Sequence, residues 1–508
     1  MTAAGGSGVK PVGKFVMLAL ALGQVLVSLD SSAMTIALPA VQRDLDASSS
    51  GLQLIVVVYM IASAACTLPI AAISDRVGRK PMYIAGLVGF ILGSALCAIS
   101  WSVGILIFAR VIQGIGAAAI FGLALAILTD NAERSQVPKI VAIWMTVSTV
   151  AFAAGPFVGG VLVSAFGWRS VFYINIPLTI GVLIVAIVAL KDDRKVPDQR
   201  LKLTGGVLIA LSLSCVTWAI ISAQQSGFTS PQVLVPTALS VVLIAVLVFE
   251  QRHTDAPLVQ WALLKRSPIP AALVLNMLLG LALSGTQFQM SIFTQSVLGY
   301  SATLAGTVTL SATIAMAVLA PLAPKLQELL GAALPAMVSF LVIALGMLML
   351  GKLDPSSTIT WVVIGLLVLG IGLAIADPIV SAVAMQHAEE SNAGAVSGSL
   401  GLMGQVGATL GITVMGGLTT SVALARWRDG GGDPNLDTFV GVGDAAGVAA
   451  QAGQAARELA ATSYSSGVSV TLTLGAIVMA VAGVLALALL PKKSSNAEAR
   501  AQAAAPNP

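Results

Sequence analysis

The chain has 508 residues, of which 57% are hydrophobic and 9% charged, with a formal net charge of +4 and a mean hydropathy of +0.95. A water-soluble chain carries about 25% charged residues, so a soluble globular fold is excluded. Cys66, Cys97 and Cys215 all fall in apolar runs and set no disulfide framework. The basic residues are scattered over short segments, which speaks against a nucleic-acid-binding face.

The apolar material falls into fourteen runs, each near the ~20 residues that a membrane-spanning helix needs. Only helices and closed barrels satisfy their backbone in lipid, and runs this long are not barrel strands. The predicted fold is therefore an all-α integral membrane protein with 14 transmembrane helices. The first run, 14–38, carries Asp30 and is too long for a signal-peptide core. The second, 52–73, carries Tyr59, which either packs in the core or stacks on a flat ligand. It leads into Ser74-Asp75-Arg76-Val77-Gly78-Arg79-Lys80-Pro81, where Gly78 permits a tight turn and the basic residues favour the cytoplasmic side. Runs 81–100 and 103–128 follow, the latter with Arg110-Val111-Ile112-Gln113-Gly114-Ile115-Gly116. Run 138–164 contains Gly155-Pro156-Phe157-Val158-Gly159-Gly160, and run 170–190 opens on Trp168-Arg169 and Asn175-Ile176-Pro177.

A charged break at 191–202 precedes runs 203–223 and 231–249, and another at 250–270 follows them. The ninth run, 271–296, bears a polar stripe of Asn276, Gly280, Ser284, Gln287, Ser291 and Gln295. Their spacing of three or four residues places them on one helical face. That face looks into a cavity or onto a partner helix. Runs 303–323, 332–351 and 359–383 follow, the last carrying Asp377-Pro378. Run 395–419 has Gly394, Gly398, Gly401, Gly404, Gly407 and Gly411, a pattern for close helix packing. The segment 424–467 reads as an exposed loop or a lid, within which Asp444 to Ala461 has the composition of a surface helix. After the last run, 468–490, the tail is expected to be disordered.

Lysine and arginine set the orientation. With both termini in the cytoplasm, nineteen of the 26 Lys and Arg lie on the inner side, six lie outside, and Arg110 is embedded. This is the bias of the positive-inside rule. Three embedded charges remain, Asp30, Arg110 and Asp377, and each costs several kcal/mol unless paired or wetted.

The four motifs quoted from the first half, with the first-run stretch Leu29-Asp30-Ser31-Ser32 … Ala37-Leu38-Pro39, resemble the major facilitator superfamily. More narrowly they are similar to the fourteen-helix drug:proton antiporters, with departures at Ala71 and Ala151, where glycine is usual, and at Ser32 and Thr35. The resemblance implies an N-terminal six-helix bundle (1–190), two inserted helices (191–255) and a C-terminal six-helix bundle (256–508). It also implies a gating motif at Asp75, Arg76, Gly78, Arg79 and Lys80, proton coupling through the motif of Arg110, and an antiporter motif at Gly155, Pro156, Gly159 and Gly160.

Elementary geometry supports the charge pairing independently. Asp30 and Arg110 each lie about 12 Å from the outer ends of their predicted helices at 1.5 Å per residue. Arginine keeps its proton, which leaves Asp30 as the proton carrier or as half of a static pair. Asp377 is expected to attract a cation, carry a second proton or snorkel to the cytoplasm. Gln113, Tyr59, Asn276, Gln287 and Gln295 are the remaining candidates for a substrate path.

No phosphate-cradling loop is present, and His253 and His387 offer no metal cluster. Neither cofactor nor nucleotide is expected, with the proton gradient as energy source. The expected activity is monomeric, proton-coupled export of lipophilic or amphiphilic small molecules across the cytoplasmic membrane. The alternatives are export of a self-made metabolite, lipid or siderophore, a passive channel, or a membrane-embedded enzyme.

Overall fold

The computed structural model describes residues 14–130, 137–190, 204–226, 230–253, 268–388 and 393–492. Every predicted apolar run coincides with helix. The first half comprises α1 (Lys14–Leu45), α2 (Ser49–Val77), α3 (Arg79–Ala98), α4 (Val103–Asp130), α5 (Val137–Phe166), the single turn α6 (Ser170–Tyr173) and α7 (Asn175–Ala189). Next come α8 (Thr204–Ser226) and α9 (Pro231–His253). The second half comprises α10 (Ile269–Ile292), α11 (Ala302–Leu319), the short α12 (Ala323–Leu330), α13 (Ala333–Gly351), α14 (Ile359–Gln386), α15 (Ala393–Leu410), α16 (Gly416–Asp429), the short α17 (Asp437–Gly441) and α18 (Ala445–Leu489). Among the described residues, twelve helices are long and apolar enough to cross a membrane. Shorter apolar stretches at Val150–Phe166 and Val207–Ile220 lie within α5 and α8. The charged breaks expected at 191–202 and 250–270 fall mostly outside the described residues, as does the tail beyond residue 492.

Helices α1 to α5 and α7 pack on one another, as do α10, α11, α13 to α16 and α18; α8 and α9 form a hairpin. Helix α8 lies against α2 of the first group and also touches α15 and α16 of the second, so it runs along their seam. Helix α9 is almost wholly exposed, with Leu234, Val235, Val241, Val242 and Phe249 facing outward. Such an apolar exterior fits a hydrocarbon solvent.

Three element boundaries differ from those expected. Helix α1 continues past Leu38 through Pro39 to Leu45, and the Arg43 side chain donates to the freed Pro39 region at its carbonyl (3.1 Å). Segment 424–467 is mostly helix, including the surface helix expected from Asp444 to Ala461, which here runs on into the last span. The α16 helix extends to Asp429, and α18 starts at Ala445, with the Asp444 side chain capping Gly447. Gly453, at φ 85°, kinks α18 before it enters its apolar part. Buried Trp427 donates through Nε1 to the Asp433 carbonyl (3.0 Å), and Arg428 pairs with Asp437, so the connection folds back onto the helix ends. Two π-helical turns, Phe293–Val297 after α10 and Gly411–Met415 between α15 and α16, interrupt otherwise continuous spans.

Close helix approach depends on glycine. In the second half, an added Cβ on Gly407 would sit 1.8 Å from the Met277 carbonyl oxygen, and one on Gly411 2.4 Å from that of Leu281. The glycine stripe of the thirteenth run therefore seats α15 and its π turn against α10. Gly401, in contrast, faces open space.

Candidate functional site

Five helices converge on Asp30. The Arg110 guanidinium donates through Nη1 to Asp30 Oδ2 (2.8 Å), and both residues are fully buried. The same Nη1 donates to Gln113 Oε1 (2.6 Å), while Arg110 Nε donates to the Ile55 carbonyl (3.2 Å). Arg110 and Gln113 are three residues apart on α4, which brings both to one face. Asp30 Oδ1 accepts from Gln113 Nε2 (3.0 Å) and from Asn175 Nδ2 (2.6 Å). Gln113 Nε2 also donates to Ser94 Oγ on α3 (3.0 Å). The Tyr59 ring lies under the guanidinium, 4.0 Å from its carbon, and Phe172 is 5.9 Å away. A cation over an aromatic face in a dry site gains roughly 2 kcal/mol.

The arrangement satisfies the carboxylate as an anion. One oxygen takes a charge-assisted bond, and the other takes two amide N–H groups. Removing either partner of a buried ion pair strands a charge, so α1 and α4 are energetically bound to the charge state of Asp30. Gln113 and Tyr59, expected along a substrate path, belong here to the charge cluster. Asn175 was not among the expected site residues. It starts α7 just after α6, with Pro177 in the first turn. An Asn at that position reads as a helix-start residue, and only its burial and its reach to α1 show otherwise.

The Gly155–Gly160 motif sits where three helices meet. A Cβ on Gly155 would stand 1.8 Å from Ser32 Oγ, and one on Gly159 2.9 Å from the Ala33 carbonyl oxygen. Ser32 Oγ donates to the Phe152 carbonyl (2.8 Å). The motif's other side meets the second half of the chain. Gly160 faces the Ala302 carbonyl oxygen (2.4 Å to an added Cβ), and Gly306 on α11 faces that of Pro156 (2.0 Å). Thr303 Oγ1 donates to the Gly160 carbonyl (3.1 Å). Gly160→Val should therefore wedge α5 from α11 and cost about 1–3 kcal/mol through overpacking. Gly181→Ala on α7, where an added Cβ meets nothing within 4 Å, should be neutral. Melting temperatures of the two purified variants beside wild type check this.

The polar stripe of α10 faces partner helices. Asn276 Nδ2 donates to the Leu400 carbonyl (2.7 Å), and Gly280 approaches Gly404. Ser291 Oγ donates to the Thr35 carbonyl (2.6 Å), and Gln295 Nε2 to that of Ile36 (3.1 Å), so the end of α10 is latched onto α1. Ser49 and Thr420 share a further bond (2.7 Å) between the halves at the same end. Gln287 alone among the stripe's amides is buried with its nitrogen lacking any partner among the described residues.

Gly78 adopts φ 108°, and its N–H donates to the Ser74 carbonyl (2.8 Å), so the turn between α2 and α3 needs glycine. Arg79 Nη1 donates to the Ala126 carbonyl near the end of α4 (3.1 Å), where a cation complements the helix dipole. Arg76 and Lys80 lie on either side of this turn, and the side chain of Asp75 lies outside the described set. At the opposite end, Asp44 Oδ2 accepts from Arg169 Nη1 (2.6 Å) and Trp168 Nε1 (3.0 Å), and Arg169 Nη2 donates to the Ser100 carbonyl (2.9 Å). Asp377 is half-buried on α14, beside Pro378 inside the helix, among Ala374, Ala376, Ile379 and Val380.

The fold has solved counterparts. A bacterial homologue of the human lysosomal transporter Spinster is 17% identical, with a TM-score of 0.67 over 94% of this chain and 97% of that one. The nucleoside transporter NupG gives a TM-score of 0.60 at 14% identity, over 93% of this chain and 98% of its own. Among curated proteins, the tetracenomycin C resistance and export protein of Streptomyces glaucescens is 30% identical over 93% of this chain and 90% of its own length. The multidrug resistance protein Stp of Mycobacterium tuberculosis is 29% identical over 84% and 78%. The methylenomycin A resistance protein of Bacillus subtilis is 30% identical over 82% and 89%. The family model described as Major Facilitator Superfamily matches residues 20–412, and on that match, the five-helix charge cluster and the fold together, the chain belongs to the major facilitator superfamily of membrane transporters.

Proposed function

We propose that this transporter exports lipophilic or amphiphilic compounds from the cytoplasm in exchange for protons, by alternating access across the cytoplasmic membrane. The observation that carries the proposal is the fully buried Asp30–Arg110 pair with its amide donors. A titratable carboxylate held by a fixed cation inside a membrane bundle has the chemistry of a proton relay. Protonation neutralises Asp30 and frees the Arg110 fork, and rearrangement of α1 against α4 follows from that change of charge. The names of the relatives, which speak of multidrug resistance and of resistance and export, support the direction and the substrate class. In this reading the chain crosses the membrane fourteen times with both termini cytoplasmic, acts as a monomer and uses no cofactor.

Purified protein in proteoliposomes tests the proposal. An imposed pH difference should drive uphill accumulation of a lipophilic dye and should stop doing so when a protonophore is added. Transport that runs only downhill in both conditions would identify a passive channel.

Asp377 and Gln287 are assigned to the substrate path. In this reading Asp377 meets a compound leaving the cytoplasm, and Gln287 offers a buried amide nitrogen without a partner among the described residues. Asp377→Asn should weaken resistance to dications more than to monocations and leave neutral compounds nearly unaffected, because one lost charge acts only on a charged partner. Gln287→Ala should change preference irrespective of charge. Dose–response curves at matched expression in an efflux-deficient bacterium distinguish the two, and equal losses for neutral and dicationic compounds would assign Asp377 to structure or coupling.

The relatives named for resistance to one compound, methylenomycin A or tetracenomycin C, favour a second reading in which this chain exports a single product. The same resistance profile decides: broad protection across cationic dyes, quaternary ammonium compounds and neutral antibiotics supports the first reading, and protection against one scaffold supports the second.

A further inference from the structure

Asn175 is the group in the charge cluster whose chemistry the coupling scheme leaves unused. It is fully buried, its Nδ2 donates to Asp30 Oδ1 at 2.6 Å, and its Oδ1 has no partner among the described residues. Its backbone is fixed, since it opens α7 and its carbonyl accepts from Thr179 Oγ1 (2.6 Å). The side chain therefore presents a donor engaged with the carboxylate and, on the same amide, an idle acceptor. A neutral carboxylic acid has an O–H to give. Half a turn of the amide brings the Asn175 carbonyl oxygen to the place its nitrogen holds.

Resting on the proton-exchange reading, we infer that Asn175 is the positioning residue of the proton site: it holds Asp30 as an anion through Nδ2 and accepts the Asp30 proton's hydrogen bond through Oδ1 when the acid is loaded. The proton sits on Asp30 Oδ1 throughout the loaded state, and nothing is oxidised or reduced. The other groups facing Asp30 serve one state only. Arg110 on α4 is a permanent cation and a donor. Gln113, also on α4, has its carbonyl oxygen already occupied by Arg110 Nη1. Tyr59 on α2 stacks on the guanidinium, and Cys97 on α3 points its thiol at Gln113 Oε1 (3.9 Å). Helix α5 meets α1 here through Gly155 and the Phe152 carbonyl, which carry no titratable group. Asn175 alone is free to follow the proton, and through it α7 is informed of the charge on α1.

Bonds to a charged acceptor are about twice as strong as neutral ones, so loss of the amide removes more support from the anion than from the acid. Asn175→Leu keeps the volume and removes both functions. The infrared carboxylic-acid band that disappears in Asp30→Asn reports the loaded state directly in purified full-length protein. Its pH midpoint should move upward by about one pH unit in Asn175→Leu, and the pH of half-maximal proton-driven dye transport should move with it. Asn175→Ser, which retains a shorter donor and disturbs packing differently, should move both in the same direction by less, and it serves as the test if the leucine variant does not fold. An Asp30-dependent band with the wild-type midpoint in both variants would overturn the role of Asn175 and leave the proton site standing. Absence of any Asp30-dependent band in the wild type would overturn the proton site and this inference together.

Discussion

Asp30→Asn should abolish uphill export while leaving the compound bound. The substitution keeps the size of the side chain and its capacity to accept from Arg110, but among the described residues it removes the one embedded acid that has a cation beside it. With a pH difference imposed across proteoliposomes, the wild type should reach an accumulation ratio of about tenfold per pH unit for each proton exchanged, since one pH unit is worth about 1.36 kcal/mol. The Asn variant should reach a ratio of about one at any pH difference. Binding, read by quenching of the dye or of intrinsic tryptophan, should be unchanged. A variant that still concentrates its substrate would show that the coupling proton is carried elsewhere.

Arg110→Leu should produce a large loss of stability. It strands the Asp30 carboxylate on two amides in a dry site, and breaking a buried pair from one side costs about 3–5 kcal/mol. Asp30 relieves part of that cost by taking up a proton, which locks the carrier in its loaded form and halts turnover. The double variant Asp30→Asn with Arg110→Leu removes both charges and should regain most of the lost stability without regaining transport. Arg110→Lys should recover only part of either property, because an ammonium cannot reach Asp30, Gln113 and the Ile55 carbonyl from one planar fork. Melting temperatures together with proton-driven flux check all three. Normal values of both for Arg110→Leu would refute the coupling of the pair.

The contrast between these residues and the rest of the site shows what a linear sequence discloses about a membrane protein. Asp30 and Arg110 were legible because charge inside an apolar run is expensive and therefore rare, and helical rise alone put them at matching depths. Gly78 was legible as a turn glycine between a basic pair, and the structure gives it a positive φ. Hydropathy predicted fourteen spans, and among the described residues twelve helices are long and apolar enough to cross a membrane. Asn175 was hidden because amides are common at helix starts, and only the return of α7 against α1 turns it into a ligand of Asp30. The amides of α10 were legible as one face but not by partner: Asn276 turns to α15 and Gln295 to α1. The π turns left no trace in composition; within 424–467 the helix that Asp444 caps was legible, whereas its continuation into the last span and the bend at Gly453 were not.

Three bonds of the latch between the two halves have a one-sided chemistry. At Thr35, Ile36 and Gly160 the first half offers main-chain oxygens, whereas Ser291, Gln295 and Thr303 of the second half supply the side chains that grip them. No point substitution on α1 or α5 can delete an acceptor that every amino acid carries. Loss of these three bonds by mutation must therefore arise at Ser291, Gln295 or Thr303, and strains in which they are weakened should carry changes at those positions.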